Sequence, residues 1–319
     1  MPWKAHLARN LAILAVVVAL VSAGTYAVVT YRPATHSGVT ALATFYPVYE
    51  HTRNIAAGTR VNVALLVPMT LDVHEFDPTP SSVQAVAEAD LLIYSGAGLE
   101  PWITRIVSAA GNAHLTLVDS SKDVSLLQVP AQFQNENRTT DPHIWLDPIL
   151  AKQQVSNILA GLIKADPADA ATFTANAAIY SDKLDVLNRA ALNLTTSPDL
   201  KTRHFVTFHE AFAYFAARYN LDQIPIAGPF EEEPTPSEIQ GVINATKQYH
   251  LCYIGYESLS NPEIARSIAS QLNATTTLIR LDPIEGLSLE DQALGLTYLT
   301  KMGDILSKLD LMLNHVGCN

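Results

Sequence analysis

The stretch Asp77-Pro-Thr-Pro-Ser-Ser-Val-Gln84 returns later in the chain as Glu233-Pro-Thr-Pro-Ser-Glu-Ile-Gln240. A match of this length, with the neighbouring segments in the same order, predicts two copies of one supersecondary unit. Proline followed by serine is typical of a helix start, and in the first copy we expect Ser81 or Ser82 to cap a helix. The repeat therefore predicts two related lobes.

Short runs of β-branched and apolar residues surround each copy and alternate with helical patterns. This alternation predicts α/β lobes, each a mainly parallel sheet flanked by helices. An alanine-rich helical pattern from Pro167 to about Leu194, with no Pro or Gly inside it, predicts one long rigid helix that joins the lobes. The predicted divisions are an N-terminal anchor and tether (1–38), a first lobe (39–166), the linking helix (167–197) and a second lobe (198–319).

The N-terminus predicts a membrane segment. Lys4 and Arg9 precede an uncharged, mostly apolar run from Asn10 to Tyr31. At ~1.5 Å per residue this run can cross a bilayer as a helix, and the basic residues before it place the body of the protein outside. We favour an uncleaved anchor over a removed signal peptide, although Val21-Ser-Ala23 could be a cleavage site. We therefore expect an extracytoplasmic protein, either anchored in the membrane or secreted.

Composition narrows the possible partners. The formal net charge of −11 argues against a nucleic-acid partner, because phosphate binding needs clustered Lys and Arg. The two cysteines, Cys252 and Cys318, could pair outside the cell, but their spacing leaves this open. We expect a monomer. Four Asn-x-Ser/Thr sequons could accept glycans, at Asn137, Asn193, Asn244 and Asn273.

Four segments place a His or an Asp after a predicted strand or at the joint between a strand and a loop. Their candidate metal ligands are His74, His143, His209 and Asp282. Two come from each lobe, and ligands of open α/β sheets bind beyond the carboxyl ends of the strands. Imidazoles with one carboxylate suit Zn²⁺, which takes four ligands tetrahedrally. We therefore predict one metal ion in the cleft between the lobes.

The residue types also allow simpler interpretations. A single His after a strand can be a hydrogen-bonded structural residue, and Asp before Pro, as at Asp282, can be a helix cap. Glu75 and Glu210 directly follow ligand candidates and could support them or replace them.

Taken together, the motifs resemble the zinc/manganese-type substrate-binding proteins of ABC transporters, the cluster A-I family. The resemblance covers Val39 to about Leu313. The matching runs are Thr44-Phe-Tyr-Pro47, Asp72-Val-His-Glu-Phe-Asp-Pro-Thr-Pro80, Ala89-Asp-Leu to Gly98-Leu-Glu-Pro-Trp102, Asp141-Pro-His-Ile-Trp-Leu-Asp-Pro148, His209 to Tyr219 and Leu281-Asp-Pro283.

This resemblance implies a two-lobed binder that holds one divalent ion and hands it to a membrane permease driven by an ATPase. The family's ligand positions fall on His74, His143, His209 and Asp282. Zinc-like members carry His at the third position, so His209 indicates Zn²⁺. The segment from Leu126 to Thr140 lacks the His-rich loop of many zinc-type members, which leaves Mn²⁺ as an alternative. Val73 replaces the usual Pro, and no lipid-attachment Cys follows the apolar run.

Two other classes of function are compatible with some of the residues. A zinc hydrolase needs three protein ligands, a position open to water and a carboxylate base. In His74-Glu75 and in His209-Glu210, a candidate ligand is followed by a glutamate that resembles such a base. Neither pair continues to a His four residues on, so the helical His-Glu-x-x-His pattern is absent. An adhesion or sensing protein on the same fold is the third possibility. The sequence favours a metal carrier without enzymatic activity.

Overall fold

The computed structural model describes residues 38–134, 138–272 and 275–318. The predicted N-terminal anchor and the sequons at Asn137 and Asn273 lie outside these residues. Within them, no helix combines the length and the apolar character that a membrane crossing requires.

The first lobe contains a sheet of four parallel strands. They are β1 (Thr40–Ala43), β2 (Asn62–Leu65), β3 (Leu91–Tyr94) and β4 (Thr116–Asp119). Their order in the sheet is β2-β1-β3-β4, so the chain crosses over between strands as parallel pairing requires. The helices of this lobe are α1 (Tyr46–Ile55), α2 (Pro80–Glu88), α3 (Ile103–Ala110) and α4 (Pro148–Ala165).

The second lobe repeats this plan. Its strands are β5 (His204–His209), β6 (Asp222–Ala227), β7 (Tyr253–Tyr256) and β8 (Thr277–Arg280), all parallel and in the order β6-β5-β7-β8. Its helices are α6 (Ala213–Tyr219), α7 (Pro236–Gln248), α8 (Glu263–Ser270), α9 (Leu289–Ala293) and α10 (Tyr298–Asn314). The equivalent strand orders confirm the two related lobes that the repeat predicts.

Between the lobes runs α5 (Ala170–Thr195), a helix of 26 residues and thus about 39 Å long. It buries Phe173, Ala177, Tyr180 and Leu184 along one face, at the three- and four-residue spacing of an amphipathic helix. These side chains belong to a core that also includes residues of both lobes. The predicted linking helix is therefore confirmed as one continuous element.

The repeated Pro-Thr-Pro-Ser turn starts a helix in both lobes. The prediction that Ser81 or Ser82 caps α2 is wrong, because the cap is Thr79, whose hydroxyl accepts from the backbone N–H of Ser82. Pro80 explains the earlier start, since its fixed φ and missing N–H suit the first helical position. In the second lobe Thr235 caps α7 in the same way.

A buried junction fixes the loop after β8, residues 281–287, against the first lobe. The indole N–H of Trp145 donates to the carbonyl of Pro283 at 2.7 Å. The N–H of Leu287 donates to the carbonyl of Met69, also at 2.7 Å. The second lobe is also closed by a disulfide between Cys252 and Cys318, which answers the question that the sequence left open.

Candidate metal centre

Three imidazoles from three distant segments meet at one point between the lobes. The Nε2 atom of His143 lies 3.4 Å from Nε2 of His74 and 3.1 Å from Nε2 of His209. The side chains of His143 and His209 are fully buried, and that of His74 is 3% exposed. The structure thus brings together three of the four residues that the sequence predicts as ligands.

A carboxylate completes the group, and it belongs to Glu285. Its Oε1 atom lies 3.2 Å from Nε2 of His74, 3.5 Å from Nε2 of His143 and 3.3 Å from Nε2 of His209. A tetrahedral Zn²⁺ with bonds of ~2.0–2.1 Å has its ligand atoms about 3.3 Å apart. The four donor atoms therefore have the spacing and the chemistry of a tetrahedral zinc site.

Each donor lies at or beyond the carboxyl end of a strand, where the loops of an α/β sheet form binding sites. His74 lies on a single 3-10 turn after β2, and His143 follows β4 across a longer loop. His209 is the last residue of β5, and Glu285 is in the loop after β8. The two lobes thus supply two donors each. The donors come together only when the chain is folded, because they are far apart in the sequence.

Buried carboxylates orient two of the three imidazoles. Asp141 Oδ1 accepts hydrogen bonds from the backbone N–H and from Nδ1 of His143, at 2.9 and 2.8 Å. Glu257 contacts Nδ1 of His209 with both oxygens, at 2.9 and 3.0 Å. A carboxylate partner holds the proton on Nδ1, which leaves the lone pair of Nε2 for a metal ion.

His74 is oriented differently. Its backbone N–H donates to Oδ1 of Asp72 at 2.7 Å, which fixes the turn that carries the imidazole. Its Nδ1 atom is buried and has no hydrogen-bond partner among the described residues. From the second lobe, the ring of Phe230 also packs against the imidazole, with the two centroids 5.9 Å apart.

Asp282, the fourth ligand predicted from the sequence, is not part of this group. Its Oδ1 accepts from the backbone N–H of Ser258 at 2.7 Å, and its Oδ2 accepts from Lys301 and Arg280 at 2.5 and 2.6 Å. These three donors occupy both oxygens of the carboxylate. Glu285, three residues on in the same loop, takes the position that the sequence analysis gave to Asp282.

The charges in the group depend on one another. Burial alone would lower the pKa of His143 and His209, but the carboxylates of Asp141, Glu257 and Glu285 raise both above their ordinary value. Burial would raise the pKa of Glu285, but the neighbouring imidazoles hold it well below its usual range. Protons therefore compete with a cation for His143 and His209 at pH values above the ordinary histidine range.

Glu75 and Glu210, the alternate or supporting groups considered from the sequence, are not among the residues whose donor atoms converge. Three other residues have these roles, and the sequence did not predict them. Glu285 supplies the fourth donor atom, and Asp141 and Glu257 accept hydrogen bonds from the imidazoles of His143 and His209. One signal was available for Glu257. It directly follows β7, the strand that neighbours β5 in the sheet, so its carboxylate lies beside His209 at the carboxyl edge.

Comparisons with known proteins match this chain to one family. The family described as "Zinc-uptake complex component A periplasmic" matches residues 42–310. The "High-affinity zinc uptake system protein ZnuA" of Bacillus subtilis (strain 168) is 32% identical over 277 residues, an alignment that covers 84% of this chain and 85% of the relative.

A second relative is longer than this chain. The "Zinc-binding protein AdcA" of Streptococcus pyogenes serotype M3 is 31% identical over 300 residues, which are 88% of this chain but 57% of AdcA. Among solved structures, the Zn(II)-bound ZnuA-like domain of Streptococcus pneumoniae AdcA superposes with a TM-score of 0.73 at 27% identity. That match covers 88% of this chain and the whole of the domain.

Proposed function

This chain belongs to the zinc-uptake complex component A family, and we propose that it captures a single Zn²⁺ ion outside the cytoplasmic membrane for uptake. The proposed ligands are Nε2 of His74, His143 and His209 and one carboxylate oxygen of Glu285. The ion is the transported substrate of the protein, and the protein catalyses no reaction on it.

The spacing of the four donor atoms is the observation that carries this proposal. Five separations between them lie between 3.1 and 3.5 Å, and all four atoms come within 4.8 Å of one another. Neutral imidazoles and one carboxylate bind Zn²⁺ well, whereas Mn²⁺ prefers sites richer in oxygen. Three nitrogens against one oxygen therefore favour Zn²⁺, and an Mn²⁺ carrier of the same type is the alternative.

A zinc hydrolase fits the site poorly. Catalytic zinc keeps three protein ligands and a position for water, whereas four protein donors converge here. The family is also a transport component rather than an enzyme.

Delivery of the ion needs a partner in the membrane. We propose an ABC permease driven by an ATPase, with the apolar segment from Asn10 to Tyr31 as the membrane anchor. The donor side chains are buried in this structure. The loops that carry them must therefore separate before the ion can leave.

Metal content and competition test this function. Protein purified without added metal should contain one zinc per chain, and Zn²⁺ should displace Mn²⁺ from the protein at equal concentrations. His143→Ala and His209→Ala should each lose most of the affinity while the apoprotein stays folded. His114→Ala, at an exposed position, is the matched control. Unchanged zinc affinity in both ligand variants would contradict the proposed site.

A further inference from the structure

Two cysteines and a histidine lie together where the C-terminal tail of the chain packs on the second lobe. Cys252 and Cys318 form the disulfide, and one ring nitrogen of His315 lies within 4.8 Å of both sulfur atoms. Thiolates and an imidazole are ligands that Zn²⁺ takes readily in proteins. The thiolate is the form of cysteine that binds metal, so this group can hold an ion only when the disulfide is reduced.

Backbone contacts hold the C-terminal tail in place beside the disulfide. Val316 pairs with Leu251 in an antiparallel bridge. The N–H of Gly317 donates to the carbonyl of His250 at 2.8 Å. These contacts are made by the backbone and do not need the bond between the sulfurs. They therefore keep the two thiols close together when that bond is broken.

The three side chains are also anchored individually. The Cα atoms of Cys252 and Cys318 are 5.0 Å apart, and the carbonyl of Cys318 accepts from the hydroxyl of Thr275 at 2.6 Å. His315 follows the last residue of α10, and its Nδ1 lies 3.1 Å from the hydroxyl of Tyr253 at the start of β7. Zn–S bonds of ~2.3 Å and a Zn–N bond of ~2.0–2.1 Å are therefore within reach of all three.

This group is separate from the proposed zinc site between the lobes. Cys252 directly precedes β7, whereas Glu257, which contacts the ligand His209, directly follows it. A strand rises about 3.3 Å per residue, so these two positions are about 16 Å apart. The groups share no donor residue and lie at opposite edges of the second sheet.

We propose that Cys252, Cys318 and His315 form a second Zn²⁺ site, which binds the ion after a dithiol has reduced the disulfide. The side chains supply two sulfurs and one nitrogen, and a water molecule can take the fourth tetrahedral position. Zinc binding by the second lobe then depends on the redox state of its two cysteines. This inference goes beyond the proposed function and does not rest on it, because the two sites have no ligand in common.

The reduction is a thiol–disulfide exchange. A thiolate of the reductant attacks the sulfur of Cys318, which is partly exposed, whereas Cys252 is 2% exposed. The bond between the protein sulfurs breaks, and Cys252 leaves as the thiolate. The second thiol of the reductant attacks the mixed disulfide, releases Cys318 and closes the reductant's own disulfide. Two electrons and two protons pass to the protein, and Zn²⁺ displaces the two protons when it binds.

Metal stoichiometry in the two redox states tests this site. The full chain is reduced with an immobilised phosphine, which supplies the same two electrons without offering a thiol to zinc, and is then titrated with Zn²⁺ in the absence of oxygen. The oxidised protein should bind one Zn²⁺ per chain and the reduced protein two. In the Co²⁺-loaded protein, a sulfur-to-cobalt charge-transfer band should appear only after reduction, because the donors between the lobes are nitrogen and oxygen.

Three variants separate a built site from two loose thiols. After reduction, His315→Ala should bind the second Zn²⁺ at least about tenfold more weakly than wild type and show an altered cobalt band. His114→Ala, exposed in the first lobe, is the matched control and should behave as wild type. His143→Ala should lose the ion between the lobes but, once reduced, should still bind one Zn²⁺ and show the thiolate band.

The outcomes distinguish this site from the proposed function. If reduced wild type binds no more Zn²⁺ than oxidised wild type, or if reduction abolishes its circular dichroism, the second site is overturned. It is also overturned if reduced His315→Ala binds the second ion as tightly as wild type does. If oxidised wild type binds no Zn²⁺ but the reduced protein binds one with the thiolate band, the proposed function fails and the second site stands.

Discussion

The Nδ1 atom of His209 lies 2.9 Å from Oε1 and 3.0 Å from Oε2 of Glu257, and both side chains are buried. The carboxylate holds the ring so that Nε2 is directed at the other donors. Because β5 and β7 are neighbours in the second sheet, the strands themselves bring the two residues together.

This contact predicts that Glu257→Gln weakens Zn²⁺ binding by about 10- to 100-fold, the usual cost of losing a partner of a metal-bound histidine. The amide is a weaker acceptor, so Nδ1 is held less firmly and the ring is less basic. Isothermal titration with Zn²⁺ measures the change. Glu263→Gln, at a side chain that is 66% exposed, serves as the control. Equal affinities in the two variants would show that Glu257 does not support the ligand.

The pH dependence of metal binding follows from the raised pKa of His143 and His209. Imidazole must be neutral to coordinate, so protons compete with Zn²⁺ up to pH values above the ordinary ~6.5 of histidine. Affinity should therefore rise with pH through neutrality, and binding at pH 7 should release protons. Titrations in buffers of different ionisation enthalpy count these protons. An affinity independent of pH between ~5 and ~8 would contradict a site rich in histidine.

His51 predicts a separate pH effect on the apoprotein. It is fully buried on α1, its Nδ1 contacts the hydroxyl of Tyr180 at 3.1 Å, and burial lowers its pKa from 6.5 to about 3. Between these values the unfolded chain binds a proton that the folded chain does not. The neutral, buried His51 therefore contributes its full stabilisation above about pH 6.5. Below that value the free energy of unfolding decreases by about 1.4 kcal/mol for each pH unit.

Urea unfolding at pH 7 and pH 4.5, with metal removed by a chelator, measures this effect. The difference in free energy of unfolding between the two pH values should be about 2–3 kcal/mol smaller in His51→Gln than in wild type. His114→Gln, at an exposed position, should behave as wild type. A pH difference as large in His51→Gln as in wild type would assign the acid sensitivity to other groups.

Gly286 lies where the loop that carries Glu285 packs closely against the first lobe. A Cβ at this position would lie 2.1 Å from the carbonyl oxygen of Met69, which already accepts from the N–H of Leu287. Gly286→Ala should therefore displace the loop that carries Glu285 and lower Zn²⁺ affinity about tenfold or more, with a loss of stability of about 1–3 kcal/mol.

Gly303→Ala is the matched control for this prediction, because a Cβ at Gly303 on α10 would meet no atom within 4 Å. It should leave Zn²⁺ affinity unchanged. Thermal melts of the apoproteins separate stability from binding. If Gly286→Ala binds Zn²⁺ as wild type does, the contact with Met69 is not needed to place Glu285.

Much of this architecture could be predicted from local patterns. Strands such as β3 are short apolar runs between turn residues, and the repeated turns at Pro80 and Pro236 mark equivalent helix starts in the two lobes. His74 and His209 stand out for a similar reason, since His74 follows a recognisable strand and His209 ends one. Periodicity and strand ends are properties of neighbouring residues, so a single sequence reveals them.

The choice between Asp282 and Glu285 is not a local property. It depends on Lys301, which reaches Asp282 from a helix 19 residues further along the chain. It also depends on Ile284, which adopts a φ of 63° although a β-branched residue rarely enters that region. Neither the ion pair nor the backbone conformation has a signature in the order of residues, so the fourth donor became visible only in the folded chain.

The most direct measurement is an anomalous difference map from crystals of the zinc-loaded protein, collected above and below the zinc absorption edge. We predict one peak per chain, within ~2.0–2.2 Å of Nε2 of His74, His143 and His209 and of one oxygen of Glu285, with Asp282 still bound to Lys301. A peak elsewhere, or one coordinated by Asp282 in place of Glu285, would contradict the proposed site.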